Sequence, residues 1–271
     1  MVRGMLFHLG RFVYTPSPPT RIIFMTSLDR MLGILDLFSE DQSSIQSDDV
    51  IALINCSRAT AYRYLRSLCA SGILAQAPEG RYVLGSRIIE FDRLLRKTDP
   101  LLTSASPVMD EVSKRLNLNM MLCSYYHDRV MCVDTAWPDK TTELTYERGR
   151  PMPMFFGARA KAILAHLSPY QIRNLMLEHS DEIKAAGLGN NWKEFRGALN
   201  KIRREGTCYS YAEVMPDLIG VAAPVFDAED RVLGSIVFVV TPDRLQTVGE
   251  AYLREQIAIA AQRITANTEK Q

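Results

Sequence analysis

The chain has 271 residues; at roughly 100 to 200 residues per domain this is two domains or one large one. With 47% hydrophobic and 23% charged residues it has ample apolar material for packed cores, which excludes wholesale disorder. Its longest apolar run, residues 232–240, has the length of a strand and falls far short of the roughly 18 residues of a membrane-spanning helix. The 32 Lys and Arg against 31 Asp and Glu leave a formal charge of +1, so net charge alone points to neither nucleic acid nor an acidic partner.

Residues 1–25 differ in style from the rest of the chain. The cluster Thr15-Pro16-Ser17-Pro18-Pro19 breaks any regular element, and Met25 directly precedes the first patterned segment, which predicts a flexible tail or a translation start at Met25. In residues 27–38, Leu28, Met31, Leu32, Leu35 and Phe38 recur at helical spacing, predicting a first helix with Ser27 as its N-cap. Ser47, followed by Asp48 and Asp49 in a first turn where acids suit the helix dipole, opens a second helix through Val50, Ile51, Leu53 and Ile54. Asn55-Cys56 is a candidate tight turn. Ser57 then caps a third helix whose Ala61, Leu65 and Leu68 face one way while Arg58, Tyr62, Arg63 and Arg66 face largely the other.

Two short runs, 73–77 and 81–84, flank Pro78-Glu79-Gly80 and read as a β-hairpin. Three helices and a hairpin make a winged helix-turn-helix over residues 26–85. A linker helix over 86–98 carries Ile88, Ile89, Phe91, Leu94 and Leu95 among basic and acidic residues, and Asp99-Pro100 marks the boundary. Near-neutrality hides a charge asymmetry here: residues 27–56 sum to −5 and residues 57–97 to +5.

From residue 99 to 271 the pattern changes. A helix to about residue 116 precedes strand-like runs at 120–126 and 130–135 and a further strand near 144–146. A helix over 158–167 follows, then Ser168-Pro169-Tyr170-Gln171, a capping box with Pro at the first helical position. A helix over 192–205 ends at Gly206, strands at 207–211, 221–226 and 231–240 flank an Asp-Ala-Glu-Asp turn, and a long helix closes the chain. This half is α+β with a mainly antiparallel sheet.

In a helix-turn-helix the second helix of the pair enters the major groove, so its outward residues must reach base edges and phosphates. Ser57, Arg58, Thr60, Tyr62, Arg63 and Arg66 fit that need. Arginine can bind guanine bidentately, hydroxyls mostly hold phosphate, and Arg81 on the hairpin can touch the neighbouring backbone or minor groove. No enzyme is predicted: G-x-S-x-G, a Walker-type loop, H-E-x-x-H and a dinucleotide fingerprint are all missing, and His127-Asp128 with Cys123, Cys132 and Cys208 has no local signature of nucleophilic catalysis. No cofactor and no structural metal site is expected. The five cysteines are odd in number, scattered and never spaced C-x-x-C, and His8 and Arg11 interrupt the N-terminal apolar residues, which predicts a reducing cytoplasm.

From residue 26 onward the sequence resembles the IclR-type bacterial transcriptional regulators. Residues 27–38 resemble that family's first helix, Ser57-Arg58-Ala59-Thr60-Ala61-Tyr62-Arg63-Tyr64-Leu65 its recognition helix, and Arg81-Tyr82-Val83-Leu84-Gly85 its wing strand. Residues 156–165, from Phe156-Gly157-Ala158-Arg159, are similar to the helix start that opens the family's effector pocket, and 206–227 resemble its C-terminal signature. The resemblance implies a homodimeric or tetrameric regulator of operator DNA with a GAF-like C-terminal effector-binding domain for a small carboxylate or aromatic metabolite. It places Gly157, Ala158, Arg159, Ser210, Glu213, Leu218 and Gly220 at the pocket, with Met120, Met121, Met152, Met154 and Met215 as candidate apolar lining. The turn before Ala158 is expected to offer free backbone N–H groups to a carboxylate. Arg159 departs from the family, which usually has a small or uncharged residue near this position, so it is either an added carboxylate anchor or a solvent-facing residue. Ser210-Tyr211 also departs, standing where many relatives carry acidic residues. Glu213 beside a carboxylate ligand has to be a structural cap or to bind a ligand hydroxyl. A metal-sensing or thiol-sensing regulator, using the second half's cysteines and His127, is the alternative.

Overall fold

The computed structural model describes residues 5–8, 11–14 and 26–270, apart from 127–128 and 144–145. In the stretch where the sequence predicts a flexible tail, strands β1 (Met5–His8) and β2 (Arg11–Tyr14) pair in an antiparallel hairpin. The rest falls into two compact units that divide between Thr98 and Asp99.

The first unit opens with α1 (Ser27–Gly33), capped by Thr26 rather than Ser27: Asp29 N–H donates to Thr26 Oγ1 and the Asp29 carboxylate accepts from Thr26 N. A 3₁₀ turn over Ile34–Leu37 buries Ile34. Helix α2 (Ser47–Ile54) starts one residue past Gln46, whose N–H donates to Asp49 Oδ2 at 2.7 Å. Asn55 then takes a left-handed conformation, φ 46°, which asparagine tolerates better than most residues and which turns the chain into α3 (Arg58–Ala70). Ala61, Tyr64, Leu65 and Leu68 of α3 pack on Ile34, Ile45, Val50, Leu74 and Tyr82, so one face of α3 makes the core and the other is left to solvent. The wing is β3 (Leu74–Ala77) paired antiparallel with β4 (Arg81–Leu84). Ile45 and Tyr82 exchange both backbone hydrogen bonds, at 2.9 and 2.8 Å, fastening the wing to the segment that leads into α2. Helix α4 (Arg87–Thr98) closes the unit with Ile88, Ile89, Phe91, Leu94 and Leu95 all exposed.

The second unit is a six-stranded, wholly antiparallel sheet with helices on both faces. In chain order it comprises α5 (Pro100–Leu116), β5 (Asn119–Tyr126), β6 (Arg129–Ala136), β7 (Pro151–Met152), α6 (Ala158–Leu164), α7 (Pro169–Glu178), α8 (Ser180–Ala185), α9 (Trp192–Glu205), β8 (Cys208–Tyr211), β9 (Ile219–Phe226), β10 (Val232–Val240), α10 (Pro242–Val248) and α11 (Glu250–Thr268). The strand order is β7-β6-β5-β10-β9-β8. Side chains alternate across a strand, and the two cores follow that alternation. Met121, Cys123, Ala222 and Val237 face the layer of α6, α7, α8 and α9. Met120, Leu122, Val221, Ala223, Ile236 and Phe238 face α5 and α11. Ser168 and Gln171 form the expected capping box of α7. The strand expected near 144–146 lies partly outside the described residues; Tyr146 is in a bend, and the short edge strand forms at Pro151–Met152 instead. No described helix is long and apolar enough to cross a membrane.

Candidate functional site

The outward face of α3 is built from its own cap. Ser57 Oγ accepts the Thr60 N–H at 3.3 Å and lies 3.1 Å from Thr60 Oγ1, so the hydroxyls of both residues serve the helix start. Beyond that first turn Tyr62, Arg63 and Arg66 stand exposed. The Arg63 guanidinium lies 5.5 Å from the Tyr64 ring centroid, and Arg58 pairs with Asp48 at 3.2 Å. Arg81, at the start of β4, pairs with Glu79 at 2.9 Å. Exposed pairs of this kind contribute about 0 to 1 kcal/mol, so a phosphate can take either arginine at little cost. The seven residues read as DNA contacts thus lie within one unit, six on or capping α3 and one on the wing.

The second unit holds a small cavity, partly open to solvent, on the α6 side of the sheet. Ala158, Arg159, Ser210, Glu213, Leu218 and Gly220 all line it. Gly157 stands just behind, giving the backbone N–H that Glu213 accepts. Met121, Val237 and Val239 come up from the sheet, and Trp137, Glu143, Tyr146, Val214, Met215 and Ile219 close the walls. Of the candidate methionines, Met121 and Met215 line the cavity. Met120 is one residue out of phase and lies in the opposite core, a consequence of the two-residue strand period. Met152 and Met154 are core residues of the cavity side.

The expected free amides at the start of α6 are not free. Gly157 N–H donates to Glu213 Oε2 at 2.8 Å, and Ala158 N–H donates to Ser210 Oγ at 2.9 Å. Two side chains more than fifty residues away in sequence therefore occupy the place that an incoming carboxylate was expected to take. Glu213 is held further by Lys161, whose Nζ donates to Oε1 at 2.7 Å, so the acid is a structural cap. Lys161 itself is buried, and burial of a lysine requires such a partner.

Arg159 does not face solvent: it is 8% exposed. Its carbonyl accepts the Ser235 hydroxyl at 3.0 Å, and its Nε donates to the Met152 sulfur at 3.1 Å. The guanidinium carbon lies 5.3 Å from the Tyr146 ring centroid, within range of a cation–π contact. Among the described residues, Nη2 of Arg159 is the buried side-chain nitrogen or oxygen that has no hydrogen-bond partner. Burial pulls the guanidinium below its ordinary value, opposed by Cys123, Tyr146, Cys132 and Glu213, yet an arginine starts so high that it stays cationic. A buried cation with an unmet donor is costly.

Tyr146, Lys161 and the Val237/Val239 pair escaped the sequence reading. The valines were findable, since they share the face of Met121 across paired strands; Tyr146 and Lys161 carry no local signal. The thiols offer little chemistry. Burial pushes Cys123 up to about 11 and Cys208 up to about 12, and raises Cys132 as well, so all three stay protonated at neutral pH and are poor nucleophiles and ligands. Among the described residues no three His, Cys, Asp or Glu side chains are grouped to hold a metal ion; His127 lies outside those residues.

The family model for the IclR helix-turn-helix domain matches residues 27–78, and that for the bacterial transcriptional regulator IclR C-terminal matches residues 94–266. The HTH-type transcriptional regulator XynR of Escherichia coli strain K12 is 24% identical over 233 residues, 85% of this chain and 92% of that protein. KipR of Bacillus subtilis strain 168 is 23% identical, over 87% of this chain and 94% of its own. Among solved structures, an IclR homolog from Microbacterium hydrocarbonoxydans, complexed with 4-hydroxybenzoate, superposes with a TM-score of 0.71 at 21% identity, covering 91% of this chain and all of that one. An IclR transcriptional regulator from Alicyclobacillus acidocaldarius gives 0.70 at 20% identity, with 90% and 100% covered. Two family models spanning both units in the right order leave one conclusion: the chain belongs to the IclR family of DNA-binding transcriptional regulators, a family of regulators rather than enzymes.

Proposed function

We propose that this regulator responds to a small carboxylate or aromatic metabolite bound in the cavity beside α6, which modulates binding of the helix-turn-helix unit to double-stranded operator DNA. The observation that carries the reading is the buried, unpartnered Nη2 of Arg159, a residue of a cavity whose lining is mostly apolar apart from Glu143, Ser210 and Glu213. A carboxylate supplies two acceptor oxygens in the geometry a guanidinium fork prefers. The 4-hydroxybenzoate bound to the Microbacterium homolog is a ligand of the same chemistry, and supports the reading by analogy.

On the DNA side, Arg58, Tyr62, Arg63 and Arg66 are the groups proposed to reach bases and phosphates, with Ser57, Thr60 and Arg81 at the flanking backbone. A homodimer, alone or doubled into a tetramer, would supply the second recognition helix for a paired half-site. The exposed apolar stripe of α4 suits that role, because lone helices rarely leave five large apolar residues in water. An effector can shift operator affinity only through unequal affinity for the arrangements that bind DNA and those that do not. A cytoplasmic location follows from the DNA partner.

The test is a thermal-shift screen of the full chain against small carboxylates and against Zn²⁺. A ligand at a hundredfold excess over its Kd stabilises by about 2.7 kcal/mol. A carboxylate is expected to raise the Tm of the wild type and to lose that effect in Arg159→Met. A rise with Zn²⁺ and with no carboxylate would put a metal sensor in its place.

A further inference from the structure

Two opposite charges stand close to Gly157 and are not paired with each other. One is Arg159: a Cβ built on Gly157 would lie 2.9 Å from its Nη1. The second is Glu213, with Oε2 on the Gly157 N–H at 2.8 Å and Oε1 on Lys161 at 2.7 Å. The cationic partner of Glu213 is Lys161, which leaves Nη2 of Arg159 without an acceptor.

Both groups retain unused capacity of a definite kind. Arginine has five N–H donors and no acceptor; here Nε is committed to a thioether sulfur, a weak acceptor, and Nη2 to nothing. A carboxylate has about four lone-pair sites and no donor; the cap and the lysine use one on each oxygen of Glu213. The Glu213 side chain keeps 28% of its surface exposed, and it lines the cavity. A ligand that satisfies both must therefore bring an acceptor anion to Arg159 and a donor to Glu213. Met121, Val237 and Val239 line the same cavity, which favours a hydrocarbon body.

A second carboxylate on the ligand would fare badly. It would have to lie against the Glu213 carboxylate, which Lys161 and a backbone N–H hold in place, in a site with restricted access to water. Like charges so placed repel. Rejection of this sort is the repulsive half of specificity, beside the attractive half at Arg159.

We propose that the site selects monocarboxylates whose apolar body also carries a hydroxyl or another hydrogen-bond donor, with Arg159 as the anchor for the acid and Glu213 as the group that accepts the donor and rejects dicarboxylates. This rests on the carboxylate reading of the cavity and adds the discrimination. Glu213 is thereby both a structural cap and a specificity-determining residue.

Titration calorimetry on the full chain tests it with matched probes: benzoate, the three hydroxybenzoate isomers, and the three benzenedicarboxylates, together with butyrate, 4-hydroxybutyrate and succinate. The inference expects benzoate or butyrate to bind, a hydroxylated relative to bind about tenfold tighter, as one hydrogen bond to a charged group allows, and the matching dicarboxylate to bind at least about tenfold weaker than the parent acid. In Glu213→Gln, which keeps size and removes charge, the dicarboxylate penalty should shrink to less than about threefold. In Arg159→Met, which keeps length and apolar packing, every acid should weaken by at least about tenfold. Near-equal affinities for parent, hydroxylated and dicarboxylic acids in the wild type would overturn the discrimination while the carboxylate reading stands. A dicarboxylate penalty unchanged in Glu213→Gln, with the variant folded by circular dichroism, would overturn the role of Glu213. Silence across all ten acids would overturn the carboxylate reading itself and the inference with it.

Discussion

Glu213 caps the amide of Gly157: its Oε2 accepts that N–H at 2.8 Å while Oε1 holds the buried Lys161 at 2.7 Å. The contact ties the loop after β8 to the start of α6 and fixes one wall of the cavity. It also means that the start of α6 already holds an anion at its first amide.

Removing that anion strands Lys161. Glu213→Ala leaves a buried ammonium and a backbone N–H unpaired, and the chain should lose about 2 kcal/mol of stability, less than a fully buried pair because Glu213 is partly exposed. Urea unfolding followed by circular dichroism measures it. Lys161→Met combined with Glu213→Gln should cost clearly less than the sum of the single changes, since the pair goes together; strict additivity would show that the two do not act as a unit.

Gly157 should resist substitution for two separate reasons. Its φ is 83°, and an added Cβ would sit 2.9 Å from both Arg159 Nη1 and Val214 Cγ2. Gly157→Ala is expected to cost about 1 to 3 kcal/mol in the same unfolding assay and to weaken acid binding by displacing Arg159. A variant as stable as the wild type, with unchanged ligand affinity, would contradict this.

On the DNA-binding face, Arg63→Ala should weaken operator binding by about 1 to 3 kcal/mol, roughly five- to 150-fold, without a change in melting temperature. A gel-shift titration at fixed salt reads it. Repeating the titration over a salt series separates the roles: loss of a phosphate contact lowers the slope of log K against log salt by about one, whereas loss of a base contact relaxes sequence preference.

His166 supplies a pH dependence. Burial, and then the nearby Arg203, hold it to about 4 against an ordinary value of 6.5, and its ring packs edge-on to Phe226 with centroids 4.9 Å apart. The unfolded chain therefore binds a proton that the folded one refuses between pH 6.5 and 4, so stability falls as the pH drops through that window and the loss is complete near the lower end. The effect is at most about 3 kcal/mol, less for a ring that keeps some contact with water. His166→Phe should lose less stability between pH 7.5 and 5 than the wild type; parallel losses in thermal melts would show that His166 is not the group responsible.

Much of the architecture was legible because it rests on short-range pattern. The third helix, the wing and the capping box at Ser168 and Gln171 were all read from spacing and turn residues, and all formed. The N-cap of α1 was misplaced by one residue because Thr26 and Ser27 are chemically equivalent candidates and only the fold chooses between them. Six of the seven expected effector residues line one cavity and the seventh adjoins it. The occupation of the Gly157 and Ala158 amides by Glu213 and Ser210 could not be read, because those partners come from across the chain. The same holds for Arg159. That it is buried and lacks a partner depends on Met152, Tyr146 and the sheet beneath it, none of which a local pattern reveals.

Coupling between the cavity and the DNA-binding unit is tested most directly by the affinity of the full chain for its operator DNA, followed by fluorescence anisotropy with and without saturating 4-hydroxybenzoate, in the wild type and in Arg159→Met. The acid should shift the operator Kd of the wild type by at least about fivefold, the scale of an ordinary allosteric coupling, while Arg159→Met binds the same DNA and shows no shift. An equal shift in both proteins, or none in the wild type, would contradict an effector site anchored by Arg159.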